Sequence, residues 1–191
     1  MKDCPIFPLH TVLFPGGILP LQIFEARYLD MVAKCMRKNT GFVIALIKEG
    51  QETGQPASHH TIGTYCNIID FDQQDNGLLS ITVKGEYRVK IENTHIGNEG
   101  LIIGNAKQLS SITLDTIHEA DEQLVSVINQ VKSKLGKPFS ELSVPANDTI
   151  WLFSRLVEWS AIELDKKYEL LCQHDGQEML KKALELLQSQ G

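Results

Sequence analysis

The sequence lacks any apolar run long enough to cross a bilayer. Its longest, Phe42 to Ile47, has the length of a buried strand. The opening Met1-Lys2-Asp3-Cys4-Pro5 has none of the basic-then-apolar order of a secretion signal. Together these absences predict a cytoplasmic protein with no membrane association. Cysteine is scarce: Cys4, Cys35, Cys66 and Cys172 are far apart and form no C-x-x-C pair. The expectation is reduced thiols that pack as small hydrophobes, not a disulfide framework. Cationic residues are in deficit, with 18 Lys and Arg against 24 Asp and Glu and a net charge of -6. Neutralising phosphates takes a surplus of Lys and Arg, so a general nucleic-acid binder is disfavoured.

The motifs of common chemistries are also missing. A phosphate-cradling loop needs glycines before a Lys and a Ser or Thr. The one Gly-Lys pair, Gly136-Lys137, runs into Pro138 and has Val131 where the first glycine belongs, so Gly136 reads as a helix terminator. His59-His60 and Cys172-x-His174 are isolated pairs, whereas a tetrahedral zinc site shows two local ligand pairs. His59 and His60 read as solvated loop residues. There is no G-x-S-x-G elbow and no cysteine in a catalytic setting. No metal, no cofactor and no catalytic residue is expected, although a triad assembled in space leaves no such trace.

What is present is an ordinary globular composition, 42% hydrophobic and 22% charged over 191 residues. A chain of this size buries roughly 70% of its unfolded surface and needs no staple. Residues 1–110 read as β-rich with one inserted helix. Ile6 to Leu9, Val12 to Phe14 and Ile18 to Ile23 are short apolar runs broken by Pro8, Pro15, Gly16, Gly17 and Pro20, which confine ladder pairing to edges and strand ends. The period then becomes helical: Phe24, Tyr28, Met31, Val32, Cys35 and Met36 mark a core face, with Glu25 early, basic Arg37 and Lys38 late, and a stop at Asn39 and Gly41. Phe42 to Lys48 reads as a strand, followed by a polar loop from Glu49 to Thr61. Ile62 to Phe71 and Leu78 to Ile91 flank Asn76-Gly77, a hairpin signal. Apolar residues alternate through Leu79, Ile81, Val83, Tyr87, Val89 and Ile91, and Gly85 sits where a bulge would re-aim the strand. Leu101 to Leu109 adds a last strand. Short, bent strands around one helix predict a closed or half-closed barrel.

Residues 111–191 read as helical. Thr116-x-x-Glu119 is a capping box for a stripe of Ile117, Ala120, Leu124, Ile128, Val131 and Leu135 that Gly136 and Pro138 end. Asp148 to Ile162 is apolar nearly all round and belongs at the centre of a bundle, anchored by Trp151 and Trp159. Asp165 to Cys172 makes a short helix. Asp175-x-x-Glu178 caps the last one, with Met179, Leu180, Ala183, Leu184 and Leu187 facing inward.

The opening, Phe7-Pro8-Leu9, Val12-Leu13-Phe14-Pro15-Gly16-Gly17 and Leu19-Pro20-Leu21-x-Ile23-Phe24-Glu25-x-Arg27-Tyr28, resembles the N-terminal substrate-recognition domain of ATP-dependent Lon proteases, shared in part with cereblon. Ile62-Gly63-Thr64 and Gly85-x-x-Arg88 are similar to that family's V-G-T strand and G-x-x-R-F-R-I segment, and the helical half resembles the later part of the domain. Two departures stand out: Asp75-Asn76-Gly77-Leu78 replaces the family's D-G-R hairpin, and Val89 its phenylalanine. The resemblance implies an α+β fold: a PUA-like β-barrel lobe with one inserted helix over 1–110, then a helical bundle lobe over 111–191. The family's ATPase and Ser-Lys peptidase modules have no counterpart in these residues, so the resemblance implies binding and not catalysis.

On this reading the protein binds unfolded or extended protein segments, alone or beside a protease or chaperone. Phe14, Leu19 and Ile23 are the peptide-binding candidates, since they alternate with Pro and Gly beside strand edges that are hard to pair. Pro8, Pro15, Gly16 and Pro20 are architectural. Glu25 serves the helix start, Arg27 pairs with a carboxylate or carbonyl, Tyr28 packs, and Arg88 is structural in the same sense. An RNA-binding PUA-like module is the alternative, argued from the fold alone, followed by a small-molecule enzyme using a cleft between the lobes.

Overall fold

The computed structural model describes residues 1–73, 78–114 and 122–189. Two compact units divide the chain, Met1–Leu109 and Ser110–Gly191. Among the described residues, the first holds six strands in one sheet: β1 (Cys4–Leu9), β2 (Ile18–Ile23), β3 (Phe42–Glu49), β4 (Ser58–Gln73), β5 (Leu79–Ile96) and β6 (Ile102–Gln108), with helix α1 (Ala26–Lys38) between β2 and β3. The order is β2-β5-β4-β3-β1-β6, and β6 pairs again with β5.

Strand β5 makes this closure possible because it changes partners along its length. Its first part, Leu79 to Lys84, lies against β2, and its later part, Val89 to Ile96, lies against β6. Between them the register with β4 slips from Tyr65↔Tyr87 to Cys66↔Gly85, the bulge that Gly85 suggests. No larger residue fits there, because a Cβ on Gly85 would lie 2.7 Å from the Phe14 carbonyl oxygen. That carbonyl accepts from Gly17 N at 3.1 Å, and Gly16 between them has φ 77°. With Pro15 ahead of it, this is a type II turn, which needs positive φ at its third residue.

Strands β1 and β3 pair in parallel, with α1 in the crossover between them. Their side chains alternate into two apolar clusters. Phe7, Leu9, Phe42 and Ile44 enter one, beneath Tyr28, Met31, Val32 and Cys35 of α1; Cys4, Ile6, Val43 and Ala45 enter the other, with Val89, Ile91 and Ala106. Burial of both faces makes Phe42 to Ile47 a continuous apolar run instead of an alternating one. Pro8 lies beyond the β6 pairing, which covers only Cys4 to Ile6, so its missing N–H falls where one side of the strand has no ladder to complete. Pro20 sits on β2, at one end of the sheet order, as a strand proline should.

The second unit carries α2 (Glu122–Leu135), α3 (Thr149–Trp159), α4 (Leu164–Leu171) and α5 (Gly176–Gln188). Asp148 caps α3 by accepting from Trp151 N at 2.9 Å, and Asp175 caps α5 by accepting from Glu178 N at 2.8 Å. Ile128, Trp151 and Leu152 form a buried cluster flanked by Leu124, Val144 and Trp159. At the far end of α3, Lys167 Nζ donates to the Glu158 and Ser160 carbonyls, both at 2.9 Å, placing a cation on the negative end of the helix.

Several expectations need correction. Val12 to Phe14 is buried but is not a strand: Thr64 Oγ1 donates to the Leu13 carbonyl, and Phe14 belongs to the turn. His59 and His60 lie on β4, half-buried, and not in a loop. Phe24 precedes α1 and is 60% exposed, while Met36, Leu135 and Leu184 lie at the margins of their helix stripes and are exposed. The Asn76-Gly77 turn and the Thr116–Glu119 capping box, with Ile117 and Ala120, lie outside the described residues.

All four cysteines are free thiols; three are buried and Cys172 is half-buried. Burial pushes the Cys4 thiol from 9.0 up to about 12, and Cys35 upward as well. A raised folded-state value means the neutral thiol stabilises the fold fully below the unfolded value and loses that contribution as pH climbs toward the folded one. The denaturation midpoint is therefore expected to fall between about pH 9 and 12. A Cys4→Ala variant should show a shallower fall. An unchanged slope would mean that Cys4 ionises as readily folded as unfolded.

Candidate functional site

Strand β2 and the residue Phe24 that follows it combine a sheet edge with exposed side chains. Strand β2 ladders with β5 alone, from Ile18↔Lys84 to Ile23↔Leu79, so its other edge has no strand among the described residues. A proline cannot fill a hydrogen-bonded ladder position, so Pro20↔Thr82 is a non-bonded pair. The backbone groups of Ile18, Pro20 and Gln22 therefore turn outward, with the central donor deleted by Pro20 itself. Pro20 and Gln22 are exposed, Leu19 and Leu21 half-buried, and Phe24 stands out at 60%.

Two concavities flank this edge. One, of about 310 Å³, is lined by Leu21, Ile23, Phe24 and Tyr28 with Glu25 and Glu52. The other, of about 350 Å³, reaches across the sheet from Pro20 and Gln22 to Asp70, Phe71 and Asp72. Phe71 is 59% exposed. The first is held in shape by charge. Arg27, 6% exposed, has Nε 2.7 Å from Glu25 Oε2, donates Nη1 to the Gly100 carbonyl at 3.2 Å, and lies 4.7 Å from the centre of the Tyr28 ring. Glu25 Oε1 accepts from Gly54 N at 2.9 Å, and Glu52 Oε1 accepts from His10 N at 2.6 Å, which fasten the 50–54 loop and the end of β1 to the start of α1. Tyr28 stacks on Phe7 with centroids 3.9 Å apart, and burial raises its phenol above the ordinary value.

The sequence candidates fall unevenly on this site. Phe14 and Ile23 are 1% and 2% exposed and point into the core; Leu19 alone keeps part of its surface at the edge. Arg27 pairs with both a carboxylate and a carbonyl, as expected. Arg88 is buried opposite Thr64, and its carbonyl accepts from Leu109 N at 2.9 Å, a structural placement. Sequence reasoning missed Phe24, Phe71, Glu52, Asp70 and Asp72. Asp70-Phe71-Asp72 did carry a signal, an aromatic between two acids at the end of a strand. Among the described residues no three His, Cys, Asp or Glu are grouped to hold a metal, and no helix is long and apolar enough to cross a membrane.

A six-stranded sheet with an inserted helix, followed by helices, is the α+β fold of Lon N-terminal domains. A Lon N-terminal domain protein from Xanthomonas campestris superposes with a TM-score of 0.73 at 26% identity, over 96% of this chain and 98% of that one. The N-terminal domain of Mycobacterium avium complex Lon protease shares the fold, with a TM-score of 0.65 at 15% identity over 97% of both chains. The chain belongs to the family of the ATP-dependent protease La (LON) substrate-binding domain, whose sequence profile matches residues 3–189. Lon protease of Buchnera aphidicola is 24% identical over 199 residues, covering 98% of this chain and 25% of that protein. Lon protease of Flavobacterium johnsoniae is 27% identical over 131 residues, 67% of this chain and 15% of that protein. The chain thus spans a quarter or less of the length of these relatives.

Proposed function

We propose that this chain is a non-catalytic recognition module that holds extended, apolar segments of unfolded protein at the outer edge of β2. Membership of a substrate-binding family supports the general reading. The observation that carries the location is the unpaired β2 edge beside the exposed ring of Phe24. Edge backbone groups accept an added strand whatever its sequence, and loose apolar contact tolerates many side chains, the combination suited to unfolded protein. Leu19 remains a contact at this edge, whereas Phe14 and Ile23 serve it from beneath as core. We read the ring of pairings through β5, β4, β3, β1 and β6 as the PUA-like barrel and α2–α5 as the helical bundle. We place the module in the cytoplasm, working with a protease or chaperone. The RNA alternative finds no support in a surface edged by Glu25, Glu52, Asp70 and Asp72.

Titrating the isotope-labelled chain with a reduced, unfolded polypeptide and with its folded form tests this reading. Binding is expected for the unfolded form only, with chemical-shift changes from Leu19 to Glu25. Phe24→Ala should weaken it severalfold while stability stays within about 0.5 kcal/mol, because the ring is already exposed. Equal or absent binding of the two forms retires the proposal.

A further inference from the structure

The hollow beside Phe24 is built to favour one kind of side chain. Its floor is apolar and aromatic, with Phe7, Leu9, Leu21 and Ile23 around Tyr28. Tyr28 has no ring face to offer. Phe7 stacks on it with centroids 3.9 Å apart, and the Arg27 guanidinium lies over the ring, 4.7 Å from its centre. Two groups that close to the ring centre cannot share a side, so both faces are covered and Tyr28 meets the hollow by its edge. The edge of an aromatic ring carries partial positive charge and is best met by the electron-rich face of another ring. Phe24, 60% exposed, adds a second ring to the lining. At about 310 Å³ the hollow lies at the lower end of the range for whole small ligands, which suits one large side chain.

The two carboxylates of the lining are not equivalent. Each oxygen of Glu25 already has a partner, Oε2 the Arg27 guanidinium and Oε1 the backbone N of Gly54. Glu52 is different. Its Oε1 accepts from His10 N at 2.6 Å, which pins the side chain, while its Oε2 has no donor among the described residues. Burial raises the Tyr28 phenol, Arg27 opposes the rise, and the Glu25 and Glu52 carboxylates add to it, so Glu52 lies within electrostatic reach of the aromatic floor. A fixed, charged acceptor beside an aromatic edge calls for a ligand that carries a broad ring face and an N–H donor together. Indole has both, and its nitrogen only donates. A Lys ammonium would find no face of Tyr28 left for a cation–π contact, and its pairing with a half-exposed carboxylate is worth little. A Leu side chain would fill space and leave the acceptor without a donor.

Resting on the binding reading above, we infer that this hollow is an anchor site for a tryptophan side chain of the bound segment, with Glu52 accepting from the indole N–H. The probes are four peptides of about ten residues, made of Ser, Thr and Gly around a single Trp, 2-naphthylalanine, Leu or Lys. Each is titrated into the isotope-labelled chain, and the dissociation constant is read from the shifts of Phe24, Tyr28 and Glu52. The Trp peptide is expected to bind about tenfold tighter than the naphthylalanine peptide, which matches its ring area but lacks the donor. Leu and Lys should bind more weakly than either. Glu52→Gln keeps one oxygen for His10 N and turns a donor toward the hollow. It should bring Trp and naphthylalanine within about twofold of each other while naphthylalanine binds as it does to the unaltered chain, which also shows that the hollow is intact. Equal affinity for Trp and naphthylalanine, Lys or Leu binding as tightly as Trp, or a gap that survives Glu52→Gln overturns the inference. In each of those cases the broader reading stands if unfolded polypeptide still shifts Leu19 to Glu25; both fail if it does not.

Discussion

Glu158→Ala is expected to cost about 3–5 kcal/mol, the scale of removing one partner from a buried ion pair. Arg155 is fully buried, with Nε 2.9 Å from Glu158 Oε2 and Nη2 donating to Glu158 Oε1 at 2.9 Å, a two-point contact to a side chain only 8% exposed. Burial lowers the guanidinium's affinity for its proton, and the carboxylates of Glu158 and Asp148 oppose that fall. Arginine nonetheless stays protonated in proteins, so without Glu158 the unit must keep a cation in its core or open to hydrate it. Glu158→Gln keeps one acceptor oxygen of the two, without charge, and should lose less. Replacing both members by apolar residues should recover part of the loss, since pairing and not burial is then removed. The two tryptophans, Trp151 and Trp159, both lie in the second unit, so fluorescence-monitored denaturation reads this unit alone. A midpoint close to wild type for Glu158→Ala would show that Arg155 is held by other partners.

Arg155 and Glu158 also mark the limit of what the sequence could disclose. They read as interruptions in an apolar helix, and nothing local told whether they face water or one another in the core. The elements set by local period were legible. Tyr28, Met31, Val32 and Cys35 are the buried face of α1, Asn39 ends it in the left-handed conformation, and Asp175 caps α5. The errors arose where period marks a face but not its width, as at Met36 and Leu184, or where the element starts later than the apolar spacing, as at Phe24. Val12 to Phe14 shows another limit: a short buried run is the same in a strand and in a loop whose carbonyls find Thr64 and Gly17 instead of a ladder. The candidate site was the least legible part. That β2 is an edge, and that Asp70 and Asp72 share its surface, depends on β2 pairing with β5 and β5 with β4. The first of those pairings joins residues roughly sixty apart in the chain, Leu21 with Ile81, where no local pattern reaches.

Trp151→Ala is the second large effect, about 3–5 kcal/mol, and its origin is a cavity and not a charge. The ring is 9% exposed and packs in the cluster of Ile128 and Leu152, where α2 and α3 meet. The helix start does not depend on it, because Asp148 accepts from the backbone N of residue 151 and would do so for alanine. The loss should therefore appear in packing, with helix content largely kept. The Arg155 guanidinium lies 5.2 Å from the centre of the Trp151 ring, so the ring also offers its electron-rich face to the buried cation. Trp151→Phe keeps such a face and much of the volume and should cost less than alanine. Trp159→Ala should cost less too, since that ring is half-buried and meets Phe139 edge-on at 6.2 Å. Because Trp151 and Glu158 both serve Arg155, the double variant should depart from the sum of the singles by more than about 0.5 kcal/mol. Trp159 remains as the fluorescent reporter in each Trp151 variant. Strict additivity would show that the ring acts on this helix by filling space alone, and a cost under about 1 kcal/mol would mean that the neighbouring helices close the cavity on their own.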